Sequence, residues 1–219
     1  MKHMNIKLTY LIPGLFIILF SCNSAPSGEG AQTRLFDGQS LQGWIQKNGS
    51  AIFQVVDGMI VGRTVSGSPN SFLCTENDYT DFILELEVWV DPELNSGIQI
   101  RSHSMKEFND GRVHGCQVEI DPSDRAWSGG IYDEGRRGWL YDLEDNEAGR
   151  KAFKINEWNH YKIEAIGPRI RTWVNGVPAA DLIDTVDSSG FIGLQVHSHQ
   201  KEGLQVKWRN IRIQEVESK

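Results

Sequence analysis

Residues 95 to 133 read NSGIQIRSHSMKEFNDGRVHGCQVEIDPSDRAWSGGIYD, and two runs inside this stretch alternate apolar with polar residues. The runs are Gly97 to Arg101 and Cys116 to Asp121. Successive side chains on a β-strand point to opposite faces, so each run predicts a strand with one apolar and one polar face. The apolar set is Ile98, Ile100, Cys116, Val118 and Ile120, and the polar set is Gln99, Arg101, Gln117, Glu119 and Asp121. The apolar face is typical of a core, whereas the polar face needs its own explanation.

A third run, Gly190 to His197, adds a further polar triplet to this pattern. Its Gln195-Val196-His197 places an apolar residue between two polar ones, as Gln99-Ile100-Arg101 and Gln117-Val118-Glu119 do. If the three runs share a sheet, their polar side chains lie on one face, with His199 one alternation further along. A solvated outer face is one interpretation, because antiparallel sheets often face water on one side. A groove that binds a polar ligand is the other.

Short alternating runs, separated by Gly, Asn and Asp turns, recur along the rest of the chain. Leu84 to Val90 is the clearest of them, and Ala51 to Val61 is typical of a hairpin around Asp57-Gly58. Arg136 to Ala148 has no apolar period and is interpreted as a loop with room for a short helical turn. No amphipathic helix of useful length is indicated. About a dozen short strands predict one all-β domain, a two-sheet antiparallel jelly-roll sandwich.

The chain begins like a secreted protein. Two early lysines precede an apolar run from Leu8 to Phe20, which is the layout of a signal peptide over residues 1 to 21. Leu19-Phe20-Ser21-Cys22 also resembles the bacterial lipobox, in which the cysteine carries lipid after cleavage. We therefore expect a lipoprotein with lipidated Cys22 in the bacterial cell envelope, facing the periplasm or the cell surface. The alternative is an ordinary cleaved signal peptide with an incidental cysteine.

Residues 23 to 33 are rich in Ser, Gly, Ala and Pro, which indicates a tether, and we expect a single domain over residues 34 to 217. Removing residues 1 to 21 leaves 20 of the 22 basic residues against all 29 acidic ones, a formal charge of −9. Nucleic acid is a poor partner for such a surface, and membrane attachment is expected only through the lipid anchor. Cys74 and Cys116 could form a disulfide or remain free thiols.

Short blocks along the whole domain resemble one family. The opening Leu35-Phe36-Asp37-Gly38 with Gly43-Trp44 is similar to the start of the 3-keto-disaccharide hydrolase domain, which occurs in bacterial secreted proteins and lipoproteins. The resemblance covers roughly residues 34 to 216 and implies a concanavalin A-like lectin and glucanase fold whose concave face handles a sugar already oxidised at C3. The further blocks follow in the family's order: Asn95-Ser96-Gly97-Ile98 with Arg101, Gln117-Val118-Glu119-Ile120-Asp121, Gly130-Ile131-Tyr132-Asp133, Glu157-Trp158-Asn159, Asn175-Gly176, Ile192-Gly193-Leu194-Gln195-Val196-His197 and Arg209-Asn210-Ile211.

The ketone that this resemblance implies determines the chemistry. A carbonyl at C3 acidifies the proton on C2, so a base can remove that proton and the enolate can expel the glycosidic oxygen from C1. Water then adds to the enone, which gives net hydrolysis. The expected partners are an oligosaccharide or glycoside substrate and an upstream 3-dehydrogenase that supplies the keto-sugar. The sequence requires no cofactor.

This mechanism assigns roles to the polar side chains. Glu119 is expected to be the general base, because a partly apolar groove can raise the pKa of a carboxyl group. Arg101 is expected to stabilise the enolate or hold a hydroxyl, and His197 to protonate the leaving alcohol. The other candidates would bind substrate, with the two tryptophans in loops beside the polar face: Gln99, Gln117, Asp121, Tyr132, Gln195, His199, Trp127 and Trp139.

Two other functions stay open. Glu119-Ile120-Asp121 also resembles the acidic motif of jelly-roll glycosidases, which cleave glycosides by direct acid/base catalysis. In that motif a further glutamate follows two or three residues on, whereas here Pro122 and Ser123 precede the shorter Asp124. A non-catalytic carbohydrate-binding module is the other alternative, because the same fold and the abundant tryptophans would support one.

A divalent metal ion is a further possibility. His197 and His199 project from the same side of a strand, and His103, His114 and Glu119 could come near them. The sequence contains no His-x-x-x-His pair, cysteine cluster or EF-hand spacing, so it assigns no metal ligand.

Overall fold

The computed structural model of the protein describes residue 1 and residues 31 to 217. Apart from Met1, the predicted signal peptide, Cys22 and the tether as far as residue 30 lie outside the described residues. The described part contains fifteen strands and one short helix, α1 (Glu147–Arg150). The strands are β1 (Thr33–Arg34), β2 (Trp44–Lys47), β3 (Ile52–Val56), β4 (Met59–Arg63), β5 (Ser71–Tyr79), β6 (Phe82–Val90), β7 (Ser96–Ser102), β8 (Gly115–Ile120), β9 (Ile131–Glu134), β10 (Gly138–Tyr141), β11 (Asn159–Ile166), β12 (Arg169–Val174), β13 (Val177–Ile183), β14 (Gly190–Val196) and β15 (Gln205–Glu215).

The strands form two sheets, and the pairings are antiparallel throughout. One sheet has eight strands in the order β13, β12, β11, β6, β15, β4, β3, and its eighth strand, β1, pairs with β15. The other has seven strands in the order β10, β9, β8, β7, β14, β5, β2. The predicted all-β fold, a two-sheet antiparallel jelly-roll sandwich of the concanavalin A-like type, is therefore confirmed.

The main core lies between the two sheets. Along β6, burial alternates at every residue, so Leu84, Leu86 and Val88 are buried while their neighbours are partly exposed. This period of two is the one that predicted the strand from its sequence. The apolar residues of the stretch from 95 to 133 belong to the same core cluster, as expected: Ile98, Ile100, Cys116, Val118 and Ile120.

The segment from Arg136 to Ala148 differs from its prediction as a loop. Gly138–Tyr141 forms β10, an edge strand that pairs with β9. A strand of four residues is too short to show a reliable period in the sequence. The predicted helical turn does occur, as α1, and Asn146 caps its first turn by accepting a 2.9 Å hydrogen bond from the backbone N–H of Gly149.

The ends of the domain meet at one sheet. Thr33, the last residue of the predicted tether, pairs with Ile213 of β15, so the first and last strands lie side by side. No helix within the described residues is long and apolar enough to cross a membrane.

The two cysteines of the domain are free thiols in separate apolar clusters. Cys116 packs in the main core between the sheets, whereas Cys74 packs in a small second cluster with Phe72, Val113 and Phe191. The alternative of a Cys74–Cys116 disulfide is therefore not realised in this fold.

Candidate active site

The three polar triplets lie on three adjacent strands, β14, β7 and β8, as predicted. Gln99 on β7 is the cross-strand partner of Gly193 on one side and of Gln117 on the other. Gln117 is in turn the partner of Tyr132 on β9, and Tyr132 is the partner of Trp139 on β10. These residues form one row across the sheet. We call this side of the seven-stranded sheet the polar face, and it carries Gln99, Gln117, Glu119 and Gln195.

The polar face is buried, which excludes the solvated-face interpretation. Glu119 is 4% exposed, and Gln99 and Gln195 are fully buried. A chain of hydrogen bonds crosses the face. Ser102 Oγ donates to Gln99 Oε1 (2.7 Å), Gln99 Nε2 donates to Gln117 Oε1 (2.7 Å), and Gln117 Nε2 donates to Glu119 Oε2 (3.0 Å). Because each amide both accepts and donates, the chain holds its members in fixed orientations and ends on the carboxylate.

Gly97 gives the Gln117 side chain room to reach Glu119. Gly97 is the cross-strand partner of Glu119, and a Cβ atom at position 97 would lie 2.3 Å from Cδ of Gln117. Any side chain at position 97 would therefore displace the Gln117 amide. This contact gives a physical reason for the glycine in the block Asn95-Ser96-Gly97-Ile98.

Glu119 accepts hydrogen bonds at both carboxylate oxygens. Its Oε1 accepts from Asn95 Nδ2 at 2.7 Å and from Arg125 Nη2 at 3.0 Å, and its Oε2 accepts from Gln117. Burial nevertheless raises the pKa of Glu119 from 4.5 to about 7, because the loss of water outweighs these donors and Asp121 adds repulsion. Glu119 therefore changes its protonation state near neutral pH, which a general base or acid must do.

Asp121 has the opposite character. Burial opposes its ionisation, but hydrogen bonds from Ser123 and Arg125 outweigh that effect and hold the pKa of Asp121 below its usual 3.8. Its Oδ1 accepts from the backbone N–H (3.1 Å) and Oγ (2.6 Å) of Ser123. Its Oδ2 accepts from Arg125 Nε (2.8 Å) and from the backbone N–H of Trp127 (3.3 Å). Asp121 is thus a fixed anion that anchors the segment after β8.

Arg125 joins the two carboxylates, and strand alternation does not identify it. Its guanidinium donates to Glu119 through Nη2 and to Asp121 through Nε. The same group lies 5.1 Å and 4.8 Å from the ring centres of Trp127 and Trp139. Arg125 belongs to the irregular segment between β8 and β9, where no period relates one side chain to the next. The one sequence signal for it is an arginine four residues after Asp121.

Three aromatic residues form a wall beside Arg125. Trp127 and Trp139 meet edge to face with ring centres 4.8 Å apart, and Tyr132 meets Trp139 in the same manner at 5.3 Å. The structure therefore brings together the three aromatic residues that the sequence analysis assigned to substrate binding.

A cavity of about 320 Å³ opens next to Glu119. Glu119 lies behind Asn95 and Arg125, because both line the cavity and both donate to its Oε1. The complete lining is Pro92, Glu93, Leu94, Asn95, Asp121, Pro122, Ser123, Arg125 and His197.

The two histidines after β14 differ in position. His197 lines the cavity, and its Nδ1 lies 2.9 Å from the carbonyl oxygen of Ser198. Because a carbonyl only accepts, Nδ1 carries the proton and Nε2 is the nitrogen left for proton exchange. His199 does not line this cavity, and its Nδ1 accepts from the backbone N–H of Lys201 at 3.0 Å. The structure thus places His197 at the site and His199 outside it.

Arg101 does not point to the polar face, contrary to the prediction. Its φ is 47°, and β7 holds one more residue than β14 between the pair Gln99–Gly193 and the pair Ser102–Phe191. This β-bulge reverses the alternation, so Ser102 takes the position on the polar face that Arg101 was expected to take.

The guanidinium of Arg101 instead binds the connection from β5 to β6, which links the two sheets, and the turn between β11 and β12. It donates to Asp81 at 2.9 Å, to the carbonyl oxygen of Thr80 at 2.6 Å and to that of Gly167 at 2.7 Å. Arg101 is 2% exposed, so these contacts enclose it. The expected role of Arg101 at an enolate is therefore replaced by a structural one, in which it ties the two sheets together.

The histidines proposed as metal ligands do not assemble. His103 and His114 pair with each other, with ring centres 5.9 Å apart, at the opposite end of β7 and β8 from Glu119. Within the part of the chain that the structure describes, no group of three or more His, Cys, Asp or Glu side chains is placed to hold a metal ion.

The sequence that forms this site matches a known family model. The model described as 3-keto-alpha-glucoside-1,2-lyase-like domain matches residues 31–214, which confirms the resemblance identified in the sequence. No curated protein matches the chain.

Solved structures share the fold at low sequence identity. A protein of Parabacteroides distasonis ATCC 8503, described as a candidate glycosyl hydrolase, is 18% identical with a TM-score of 0.62, and 86% of this chain and 94% of that chain are covered. A β-1,3-1,4-glucanase (lichenase) from a mouse hindgut metagenome is 14% identical with a TM-score of 0.55, with coverage of 84% and 98%. Carbohydrate-binding module CBM66 of Bacillus subtilis is 18% identical with a TM-score of 0.51, with coverage of 77% and 93%. These likenesses show the fold.

Proposed function

Because the chain belongs to the family of 3-keto-alpha-glucoside-1,2-lyase-like domains, we propose that it cleaves glycosides whose sugar ring carries a ketone at C3. The family and the glycosyl hydrolase-like folds support a carbohydrate-active function. The observation that carries the finer proposal is Glu119, a carboxyl group that is 4% exposed and whose pKa is raised to about 7. Such a group can take a proton from carbon near neutral pH and release it to solvent.

The proposed reaction is an elimination followed by addition of water. Glu119 takes the proton from C2, and the electron pair of the C2–H bond forms the enolate with the C3 oxygen. The enolate then restores the C3 carbonyl, forms the C1–C2 double bond and breaks the bond from C1 to the leaving oxygen, which receives a proton. Water adds its oxygen to C1 and C2 regains a proton, so the sum of the steps is hydrolysis.

Arg125 is proposed to stabilise the enolate oxygen, the role that the sequence assigned to Arg101. Its permanent positive charge lines the cavity next to Glu119, where it can offset the negative charge that develops on the enolate oxygen. When substrate binds, Nη2 exchanges Glu119 for the substrate oxygen, while Asp121 keeps Nε in place. The exchange also removes a donor from Glu119, which makes its carboxylate a stronger base.

His197 is proposed to protonate the leaving alcohol. It lines the same cavity as Arg125, and its Nε2 remains for proton exchange once Nδ1 donates to Ser198.

Binding without cleavage is a second candidate function. The edge-to-face pair Trp127 and Trp139 beside Arg125 is the kind of surface on which sugars stack, and the fold is similar to that of CBM66. Direct acid/base hydrolysis is less well supported, because both oxygens of Asp121, the nearest second carboxylate along the strand, are already occupied by four donors.

The proposed reaction requires that another enzyme has already oxidised the sugar. A 3-dehydrogenase must convert the C3 hydroxyl of the glycoside to a ketone before Glu119 can act. The signal peptide and Cys22 favour a lipid-anchored protein of the cell envelope, so we propose that the keto-glycoside is cleaved there.

Cleavage of matched substrates tests the proposal. The purified protein should release the aglycone from a 4-nitrophenyl 3-keto-glucoside and leave 4-nitrophenyl glucoside of the same anomeric form intact. Equal cleavage of both would favour direct hydrolysis. Saturable binding with no product from either substrate would favour a binding module.

A further inference from the structure

A second cavity, of about 570 Å³, lies on the same sheet as the Glu119 site. Its walls include Phe72 on β5 and Glu134 on β9, and these two strands flank β14, β7 and β8. The remaining walls come from loops around the sheet. The other polar side chains of its lining are Asn48, Asn70, Asn109, Asp110, Arg112 and Ser198.

The two cavities meet at the end of β14. His197 lines the smaller cavity, and the next residue, Ser198, lines the larger one. Gln195 lies on the polar face at this junction, where it is the cross-strand partner of Phe72. It is fully buried, and neither Oε1 nor Nε2 has a hydrogen-bond partner among the described residues. Gln195 lines neither cavity, so the link between the two cavities rests on the consecutive residues His197 and Ser198, which line one cavity each.

A ligand that reaches from Glu119 to the larger cavity must be longer than one sugar ring. Phe72 pairs with Gln195 on β14, and Glu119 pairs with Gly97 on β7, so three strand spacings separate Phe72 from Glu119. At about 4.8 Å between neighbouring strands, the backbones of these two residues lie about 14 Å apart. A single hexose cannot span this distance, whereas an oligosaccharide can.

The walls of the larger cavity suit an uncharged, hydroxyl-rich ligand. Three asparagine amides and a serine hydroxyl are present, together with an ion pair between Arg112 and Glu134 at 3.2 Å. With Asp110 included, acidic groups outnumber the single arginine, which disfavours a phosphate or a carboxylate in this position. Amides and hydroxyls both donate and accept, as sugar hydroxyls require.

The walls are held in place by protein contacts alone. Asn48 Nδ2 donates to the carbonyl oxygen of Gly111 at 3.0 Å, and its Oδ1 accepts from the backbone N–H of Val113 at 2.7 Å. Asn70 Oδ1 accepts from the backbone N–H of Ser198 at 2.9 Å, which orients its amide and leaves Nδ2 available to a ligand. A cavity fixed in this way loses little conformational freedom when a ligand binds.

We propose that the larger cavity is a second sugar subsite, which binds the uncharged hexose units of an oligosaccharide whose reacting ring lies at Glu119. This inference rests on the proposed function of the Glu119 site and names an oligosaccharide, rather than a small glycoside, as its substrate class.

Binding of unoxidised sugars tests this subsite without any need for cleavage. Isothermal titration of the purified protein with maltotriose, cellotriose and laminaritriose is compared with titration of methyl glucoside, which has one ring. At least one trisaccharide should bind more tightly than methyl glucoside. Asn70→Ala and Arg112→Ala should each raise the Kd of that trisaccharide about tenfold.

Arg169→Ala is the matched control. Arg169 is 53% exposed and paired with Asp181, as Arg112 is 53% exposed and paired with Glu134, but Arg169 lies on the other sheet. The control should leave every Kd unchanged. The subsite is overturned if no trisaccharide binds more tightly than methyl glucoside, or if neither variant weakens that binding. Failure of the proposed function is distinct, since it would show as absent cleavage of 3-keto-glycosides whatever the trisaccharide result.

Discussion

Arg125 donates a 3.0 Å hydrogen bond from Nη2 to Oε1 of Glu119, and its charge lowers the pKa of Glu119 against the effect of burial. Replacing Arg125 by methionine keeps the apolar stem and removes the charge. We expect the pKa of Glu119 to move above 7 and kcat/KM for a 3-keto-glycoside to fall by roughly 100-fold or more, because the enolate loses its cation. The pH profile of kcat/KM measures both effects.

Arg171→Met is the control for this substitution. Like Arg125, Arg171 is 39% exposed, pairs with a buried glutamate and lies over a tryptophan, in this case Trp173 at 5.5 Å. Replacing Arg171 by methionine should leave the pH profile of kcat/KM unchanged. If Arg125→Met retained full activity with an unshifted profile, the role of Arg125 at the enolate would be refuted.

The pH dependence of the reaction identifies the role of Glu119. A general base acts in its ionised form, so kcat/KM of the unmodified protein should rise as the pH increases through about 7. Glu119→Gln keeps the shape of the side chain but cannot take a proton, and turnover should be lost. A profile with no rise through about pH 7 would contradict the role of Glu119 as the base.

Glu119 also makes stability depend on pH. Its pKa is raised from 4.5 to about 7 in the fold, so its favourable contribution is complete below pH 4.5 and is lost as the pH rises through 7. The loss is on the order of 3 kcal/mol. Glu119→Gln removes this dependence, so urea unfolding should show the variant gaining stability relative to the unmodified protein between pH 5 and pH 8. A constant difference across that range would contradict the raised pKa.

Arg101 should matter for stability and not for catalysis. Its buried guanidinium is paired with Asp81 and with two backbone carbonyls, so Arg101→Met removes a buried ion pair and two buried hydrogen bonds. We expect a loss of about 3–5 kcal/mol in the free energy of unfolding. At a temperature where the variant is folded, kcat/KM per folded molecule should change less than about twofold. A selective loss of kcat in the folded variant would restore a catalytic role for Arg101.

Trp139 should contribute to sugar binding through its contacts with Trp127 and Tyr132. We expect Trp139→Leu to raise KM about five- to tenfold with a smaller effect on kcat, because a stacking surface holds substrate and transition state alike. Trp158→Leu is the comparison, since Trp158 lies over Arg209, which belongs to the other sheet. The measurement is the steady-state KM of both variants for one 3-keto-glycoside. An equal rise in KM for the two variants would show that Trp139 has no specific role in sugar binding.

Alternation along strands was enough to predict much of this arrangement. It places Gln99, Gln117, Glu119 and Gln195 on one face, because a period of two persists wherever a strand is regular. The common triplet then relates three strands that the fold brings side by side as β14, β7 and β8. Burial of that face was not predictable, since it depends on loops whose paths have no period.

The residues that were not predicted correctly lie where the two-residue alternation of a regular strand is interrupted, absent or too short to recognise. Arg101 lies in a β-bulge and has a φ of 47°, so the residue count along β7 no longer gives the direction of its side chain. Arg125 lies in an irregular segment, and its guanidinium contacts both Glu119 and Asp121. β10 is too short for its pattern to stand out, although its Trp139 completes the aromatic wall.

Incorporation of deuterium from solvent at C2 tests the central claim most directly. In D₂O, cleavage of a 3-keto-glucoside by proton abstraction and rehydration should place one deuterium at C2 of the released 3-keto-sugar. Quenched samples are analysed by NMR, and the free 3-keto-sugar incubated with Glu119→Gln in D₂O for the same time corrects for exchange at C2 that does not need turnover. Enrichment at C2 in step with turnover is the predicted result. Turnover that leaves hydrogen at C2 would contradict the elimination mechanism and the role of Glu119 as its base.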